Sequence, residues 1–521
     1  MNRQTPLTPV SRNTESEAKT TIVGRRLFGQ MSRVFLLVAV AALFATVTAC
    51  DQFELDEAQP STSISLDQTF TSVSGFDGVL VSMYDRLQGT ALYGQQYMLY
   101  PDALADNANL VQGATSNRYP TVVANQPFTH LTGYGALYST VNEANNILAD
   151  IDGFAPDAEN PDAITDRISG EARFLRGLAY FDLVRIYSYM PGSIDGRNRE
   201  VDGFDLGVPL RLEPVRSSAQ AQPIPRVSND SIYAQAVADF SQAANLLENN
   251  PAASSGPARA TAAAAAGMLS RVHLYIGNWS EAESAATRAL SLTSAQEPGA
   301  AEFESAWSAE TYPGSIFELR MTSGQDATGG GSALQDITFF KDPDNDGQAN
   351  NFAYELIPSD DVRSIYDSAD VRDSLFAEDP NGNVYLEKYS GTIANNTDRI
   401  PLLRVAELYL NRAEARAQQD DFSGARADLN TIRNLRGLPD IGSGVSGGAL
   451  VDEILEERRR EFLFEGKRFF TLKRYARDIP KPQLGSSIDY DGPLGERRLV
   501  LSFLPTNEVQ SNPELEQNPG Y

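Results

Sequence analysis

Residues 262–292 read AAAAAGMLSRVHLYIGNWSEAESAATRALSL, and this stretch decides the fold. One helix runs from about Ala262 to Ile276. Gly277-Asn278-Trp279 turns the chain, and a second helix follows around Glu281 to Leu292. The pattern returns later. Leu402, Ala406, Tyr409, Ala413 and Ala417 line one helix, Asp420-Asp421-Phe422 makes a turn, and Ala425, Leu429, Ile432 and Leu435 line the next.

Paired helices with small residues at their crossings and an aromatic after the turn resemble tetratricopeptide units, which bury a continuous core by stacking. The two pairs are dispersed in sequence, so a plain solenoid is not expected. Two further helices precede them. Ile168 to Met190 carries apolar residues at three- and four-residue steps (Ile168, Ala172, Leu175, Ala179, Leu183, Ile186, Met190). Phe174, Leu178 and Phe181 give it a second apolar face, so it is read as buried on two sides. Another helix starts near Ser228, a plausible N-cap, with Ile232, Ala236, Phe240, Ala243 and Leu247 on one stripe, and the segment Pro251 to Pro257 breaks it. Residues 293–400 read differently: Ser315 to Leu319 looks like a short strand, and Gly329-Gly330-Gly331 and Asp342 to Gly347 are loop signals. The fold class is therefore mostly α, with tetratricopeptide-like helix pairs on one side and an irregular, loop-rich layer on the other. Loops on such a scaffold are where binding sits.

The N-terminus reads as an address. Arg25, Arg26 and Arg33 precede the apolar run Val34 to Val47, which is too short to span a bilayer comfortably but fits a signal-peptide core. Val47-Thr48-Ala49-Cys50 then resembles a bacterial lipobox, whose cysteine is lipidated and becomes the new N-terminus. Residues 1–49 are expected to be the signal peptide, with Met31 as an alternative start. Residues 50–66 are expected to be an acidic tether, and Cys50 to be the membrane anchor.

Charge and composition remove several classes. The net charge is −26, so nucleic acid is a poor partner. Cys50 is the only cysteine, so no intrachain disulfide forms. The two histidines, His130 and His273, exclude a His-rich metal site, and His273 is expected to be a packed, hydrogen-bonded core residue. Lysine is scarce, at six residues against 37 arginines. Such an acidic, lysine-poor surface resembles proteins that work in high salt, where screening shortens self-repulsion.

Several segments carry a family resemblance. Gly170 to Phe181 (GEARFLRGLAYF) is similar to the signature helix of SusD/RagB proteins, and Val141 to Ile147 (VNEANNI) to their Asn-bearing helix. Pro401 to Ala415, Leu429 to Leu438, Glu457 to Phe469 and the ending Asn512 to Tyr521 follow in family order. Gly177 and Phe470 depart from the pattern. The resemblance implies a lipid-anchored lid on the outer membrane, facing the cell exterior, over a SusC-like TonB-dependent β-barrel transporter. The implied cargo is oligosaccharide or, less often, peptide, and the implied role is binding without catalysis. The chain then divides into a helical region at 67–300 and a C-terminal region at 301–521, with a loop-rich insertion at 320–398. A protein-binding tetratricopeptide scaffold and a surface hydrolase are the competing readings.

Candidate ligand residues are drawn from aromatics beside polar groups, since a sugar presents an apolar C–H face and a polar rim. Tyr93, Tyr97 and Tyr100 sit near Asp102, Asp106, Asn107 and Asn109, and Trp307 and Tyr312 join them. Asp342, Asp344 and Asp346 have the alternate spacing of a calcium loop, but Ala353 stands where an EF-hand needs its final Glu, so only a structural calcium is considered and no other cofactor. Glu457, Glu461 and Glu465 are read as ion pairs on a helix surface, rather than as a glycosidase pair. Gly444-Val445-Ser446-Gly447-Gly448 matches G-x-S-x-G, but it follows loop where a nucleophile elbow needs a strand. No catalytic residue is assigned. Trp279 is read as a repeat-core residue.

Overall fold

Pro161 opens the longest helix, occupying its first turn where no amide hydrogen bond is lost. The computed structural model describes residues 66–521, apart from 115, 201–202, 323–330, 343, 345–348, 350–352 and 395. The leader, Cys50 and the acidic segment after it lie outside the described residues.

Eleven described helices have seven residues or more. They are α1 Val73–Leu87, α2 Gln96–Ala103, α3 Tyr134–Ile151, α4 Pro161–Tyr187, α5 Asn229–Leu247, α6 Ala262–Ile276, α7 Trp279–Leu292, α8 Val405–Ala417, α9 Phe422–Leu435, α10 Gly447–Glu461 and α11 Arg468–Arg474. Local chemistry sets their ends. Ser228 caps α5 by accepting from the Ser231 N–H, Thr261 caps α6 by accepting from Ala264, and Asp421 caps α9 by accepting from Gly424. Gly277, at φ 80°, closes α6 in the left-handed conformation that a glycine adopts without strain.

From α3 to α10 each helix packs on the next. The stack passes directly from α7 to α8, so helices ending at Leu292 and starting at Val405 are neighbours. The two pairs dispersed in sequence are therefore contiguous in space, a continuity that the spacing of the repeats did not predict. Half-buried Trp279 joins them, packing against Leu274, Ala282 and Ala415 on one side and the α8–α10 core on the other. Gly177 has a packing reason: a Cβ there would sit 3.2 Å from Asp239 Cβ and 3.3 Å from the Phe240 ring, where α4 meets α5.

The described residues of 293–404 leave the stack between α7 and α8 and form the irregular layer. Its strands are β2 Ser315–Arg320, β3 Leu356–Pro358, β4 Phe376–Glu378, β5 Val384–Leu386 and β6 Arg399–Arg404; β1, Ala108–Leu110, comes from the N-terminal half. All pair antiparallel in two-stranded ladders: β1 with β3, β2 with β6, β4 with β5. Leu402 thus lies on β6 and not on the helix that its four-residue spacing from Ala406 suggested. Pro401 is tolerated in β6 because a two-stranded ladder leaves one edge of each strand unpaired.

The charged residues of the signature segments face inward. Glu457, Glu461 and Glu465 are 0%, 2% and 4% exposed, which corrects the surface reading. Arg404 donates to Glu297, Glu461 and Glu465, Arg436 to Glu461 at 2.7 Å and Glu297 at 3.0 Å, and Lys388 to Glu465 at 2.9 Å. Arg372 reaches Glu457 and Glu461 from the irregular layer. Burial alone would raise the Glu461 carboxyl, but Arg436 and Arg404 hold it well below the usual carboxylate range.

Candidate ligand face

Seven of the nine proposed ligand residues are buried in this structure and do not present a ligand surface. The Tyr93 hydroxyl donates to Asp182 at 2.7 Å, and its ring packs edge-on against Tyr97. Asp102, fully buried, accepts from Asn107 Nδ2 at 2.8 Å and from the Gly466 N–H at 3.3 Å. Burial pushes its carboxyl up to about 7. Arg468 clamps Asp106 at 2.7 and 2.6 Å, and Arg459 donates to Asn107 Oδ1 at 2.8 Å. Trp307 lies 4.7 Å from Tyr312, ring centre to ring centre, and Lys388 sits 4.6 Å over the Trp307 ring. The Tyr312 hydroxyl donates to Glu297 at 2.9 Å. Trp307 and Tyr312 thus pack against the ionic core, through Lys388, Arg404 and Glu297.

Tyr100 and Asn109 keep partial exposure, and the fold joins them to the irregular layer. Asn109 on β1 pairs with Ile357 on β3, and the Gln112 N–H donates to Asn383 Oδ1 at 3.1 Å. Buried Glu355 fixes the next turn, accepting from the N–H groups of Arg118 and Tyr119, each at 3.0 Å, and from the Ser116 hydroxyl. Arg118 in turn donates to the Gly331 carbonyl at 2.6 Å. Tyr100 meets the Tyr119 ring edge-on at 6.0 Å. Across β3, half-buried Phe339 and Phe340 pack on Tyr385 at 5.5 and 6.0 Å, and Phe340 on Tyr354 at 5.7 Å. The β1–β3 pairing thus brings partly exposed Asn109 and exposed Gln112 beside the Phe339–Tyr385 cluster, and partly exposed Tyr100 and exposed Arg118 adjoin it through Tyr119 and Glu355. Such groups can stack on an apolar ring face and hydrogen-bond its rim.

Of the calcium-loop residues, Asp342 is half-buried and Asp344 exposed, while Asp346 lies outside the described residues. Among the described residues no three His, Cys, Asp or Glu side chains gather in a metal-binding group. Ser446 is exposed at the start of α10, after a loop. His130 is buried with Nε2 2.5 Å from Asn125 Oδ1, and burial drives its pKa down to about 3. His273 is packed as expected, but its Nδ1 has no partner among the described residues.

Phe128 escaped the sequence reading. It is 61% exposed at φ 68°, a left-handed conformation uncommon for a bulky residue, and its ring lies 5.1 Å from Phe503 and 5.4 Å from Tyr521. No local signal marks it, because both ring partners come from the far end of the chain.

Comparison with known proteins places this architecture. Residues 378–521 match the family model described as the SusD family, and residues 54–274 match a model described as starch-binding associating with outer membrane. SusD-like protein P2 of Formosa agariphila is 22% identical, over 93% of this chain and 99% of its own. The starch-binding protein SusD of Bacteroides thetaiotaomicron is 31% identical over 127 residues, which are 23% of this chain and 21% of that protein. A SusD superfamily protein from B. thetaiotaomicron superposes with a TM-score of 0.72 at 24% identity, covering 86% of this chain and all of the other. With two family models matched in chain order, a relative aligned along nearly its whole length and a shared fold, this chain belongs to the SusD/RagB family.

Proposed function

We propose that this protein is a surface-exposed outer-membrane lipoprotein, anchored through Cys50, that captures oligosaccharide and acts as the lid of a SusC-like TonB-dependent transporter. The observation that carries the reading is the joining, through the β1–β3 pairing, of the Tyr100–Asn109 segment to the aromatic cluster of Phe339, Phe340 and Tyr385. That grouping suits a sugar, which needs stacking and a polar rim together. The continuous helix stack supplies a broad second side for a barrel partner, as helical stacks do for protein partners. Family membership and the lipobox-like Val47-Thr48-Ala49-Cys50 support the membrane address.

The test is purification of the tagged chain from outer membranes of its native cells. The expected result is an acylated Cys50 and a co-purifying TonB-dependent barrel, both lost in a Cys50→Ser variant. Recovery of the wild-type chain from the soluble fraction, unacylated and without a barrel, would overturn the reading. Peptide cargo is the second form of the same function, distinguished by which ligands bind.

A further inference from the structure

The segment Glu457 to Phe469 carries two basic pairs, Arg458-Arg459 at the end of α10 and Lys467-Arg468 where α11 begins. Between them Phe464 and Gly466 both stand at positive φ, 58° and 71°, and turn the chain. All four basic residues line one small cavity, together with Asn107 and Thr471. Its volume is about 10 Å³, room for one particle the size of water. Like charges gathered in the interior repel unless carboxylates answer each of them. Arg468 and Arg459 share Asp106, and Arg459 also reaches Asp361, whose side chain is 46% exposed. Lys467 shares Glu407 with Arg271, at 3.0 and 2.6 Å. Counting Arg458, five cations here meet three carboxylates.

Arg458 is the member left without a counter-charge. It is 4% exposed, and its one hydrogen-bond partner among the described residues is Asn411, which accepts from Nη1 at 2.7 Å. Glu414, the carboxylate that acts on it most strongly, is already held by Arg474 at 2.6 Å. Arg458 Nε is sealed from solvent without a partner. Its Nη2 also donates to no described residue, as do Nη1 of Arg459 and Nη1 of Arg468, yet none of these three is sealed in that way. Three free guanidinium nitrogens therefore keep accessible surface, and the space their residues border in common is the cavity. Burial, with the Arg271 charge, pulls the Lys467 ammonium down to about 7 although Glu407 opposes it, as expected of a place short of negative charge. A water would fill the space but bring no charge, and a polyatomic anion such as sulfate exceeds the volume.

We propose that this cavity is a monatomic-anion site, holding chloride against Arg458 Nη2 and the free N–H groups of Arg459 and Arg468, and that the ion supplies the counter-charge Arg458 lacks. The proposal does not rest on the oligosaccharide reading. The first test is diffraction from crystals of the full chain grown in sodium bromide, bromide being a chloride analogue with an anomalous signal. An anomalous peak is expected in the cavity, at contact distance from the Arg458 guanidinium. The second is thermal unfolding at pH 6, where Lys467 is protonated, in 0.5 M NaCl and in 0.5 M sodium gluconate, whose anion is too large to enter. The two salts match in ionic strength, so screening cancels. Arg458→Met removes the charge at similar side-chain length, and the general effects of each anion on folding cancel between variant and wild type. Replacing gluconate by chloride is expected to shift the wild-type midpoint upward by about 2 °C relative to its shift in the variant. A cavity without an anomalous peak overturns the proposal. So does a bromide peak accompanied by equal shifts in wild type and variant, which marks an adventitious ion only. The bromide map needs no variant and decides alone if Arg458→Met does not fold.

Discussion

Arg404 and Glu461 lie 2.9 Å apart with 1% and 0% of their side chains exposed, so an ion pair from two distant signature segments is buried in the interior. Glu461 also receives Arg436 and Arg372, which tie α9 and the irregular layer to α10. A buried pair adds little over an apolar contact, but removing one partner strands the other. Glu461→Gln leaves three guanidinium groups short of a counter-charge. It is expected to cost about 3–5 kcal/mol of unfolding free energy. Urea denaturation checks this, and a cost under 1 kcal/mol would contradict a buried network.

Gly466 explains another signature position. It adopts φ 71°, and a Cβ there would lie 1.9 Å from the Tyr97 carbonyl oxygen of α2. Backbone cannot retreat as a flexible side chain does. Gly466→Ala combines that clash with left-handed strain, so the folded yield should collapse or the unfolding midpoint fall by about 10 °C or more. An unchanged melting curve would show that the approach of α2 is not this close.

Asp102 gives a pH signature. Burial raises its carboxyl from 3.8 to about 7. The folded state therefore holds this proton more tightly than the unfolded chain does. The stabilisation is complete below pH 3.8 and is lost as pH rises through 7, up to about 4 kcal/mol. Asp102→Asn cannot ionise, so its stability relative to wild type should rise between pH 4 and pH 7.5. Parallel urea titrations at both pH values measure the difference, and a constant offset would refute an ionising Asp102.

Phe128 is held at positive φ, so glycine and alanine there separate strain from packing. Both substitutions lose the contacts with Phe503 and Tyr521, but only glycine relieves the backbone. Phe128→Gly should be more stable than Phe128→Ala by about 1 kcal/mol. Thermal melts of the two variants decide it, and the reverse order would refute the left-handed assignment.

The acidic, lysine-poor composition has a structural counterpart. Of the six lysines, Lys388, Lys473 and Lys481 are buried, the last donating to the carbonyls of Ala103, Leu104 and Ala105 at the end of α2. Lysine is therefore almost absent from the described surface, and self-repulsion of the acidic surface is screened by salt. The unfolding midpoint should rise by a few degrees between 0.1 and 1 M NaCl, and a flat or falling trend would remove the high-salt reading.

How much was legible in the sequence depends on the range of the interactions. The helices of 262–292 and 422–435 follow from local periodicity and were readable, whereas of the N-caps Ser228 was read and Thr261 and Asp421 were not. Leu402 misled because four-residue spacing also arises where a strand runs straight into a helix. Glu457, Glu461 and Glu465 looked solvated because their four-residue steps say nothing of Arg404, Arg436 or Lys388 arriving from other segments. Tyr93, Asp102 and Trp307 had the composition of a sugar site, yet the same residue types build a wet-looking but buried network. Of the nine candidates only Tyr100 and Asn109 keep partial exposure, and the β1–β3 pairing that joins their segment to the insertion is a long-range contact with no local signal in the sequence.

The most direct test of the account is calorimetric titration of the full chain with a panel of oligosaccharides, followed by mass analysis of the recovered ligand. The account predicts saturable binding of at least one oligosaccharide, its recovery intact, and a loss of roughly tenfold in affinity in both Tyr100→Ala and Phe340→Ala. Binding that survives both substitutions unchanged, or ligand recovered as cleavage products, would contradict it.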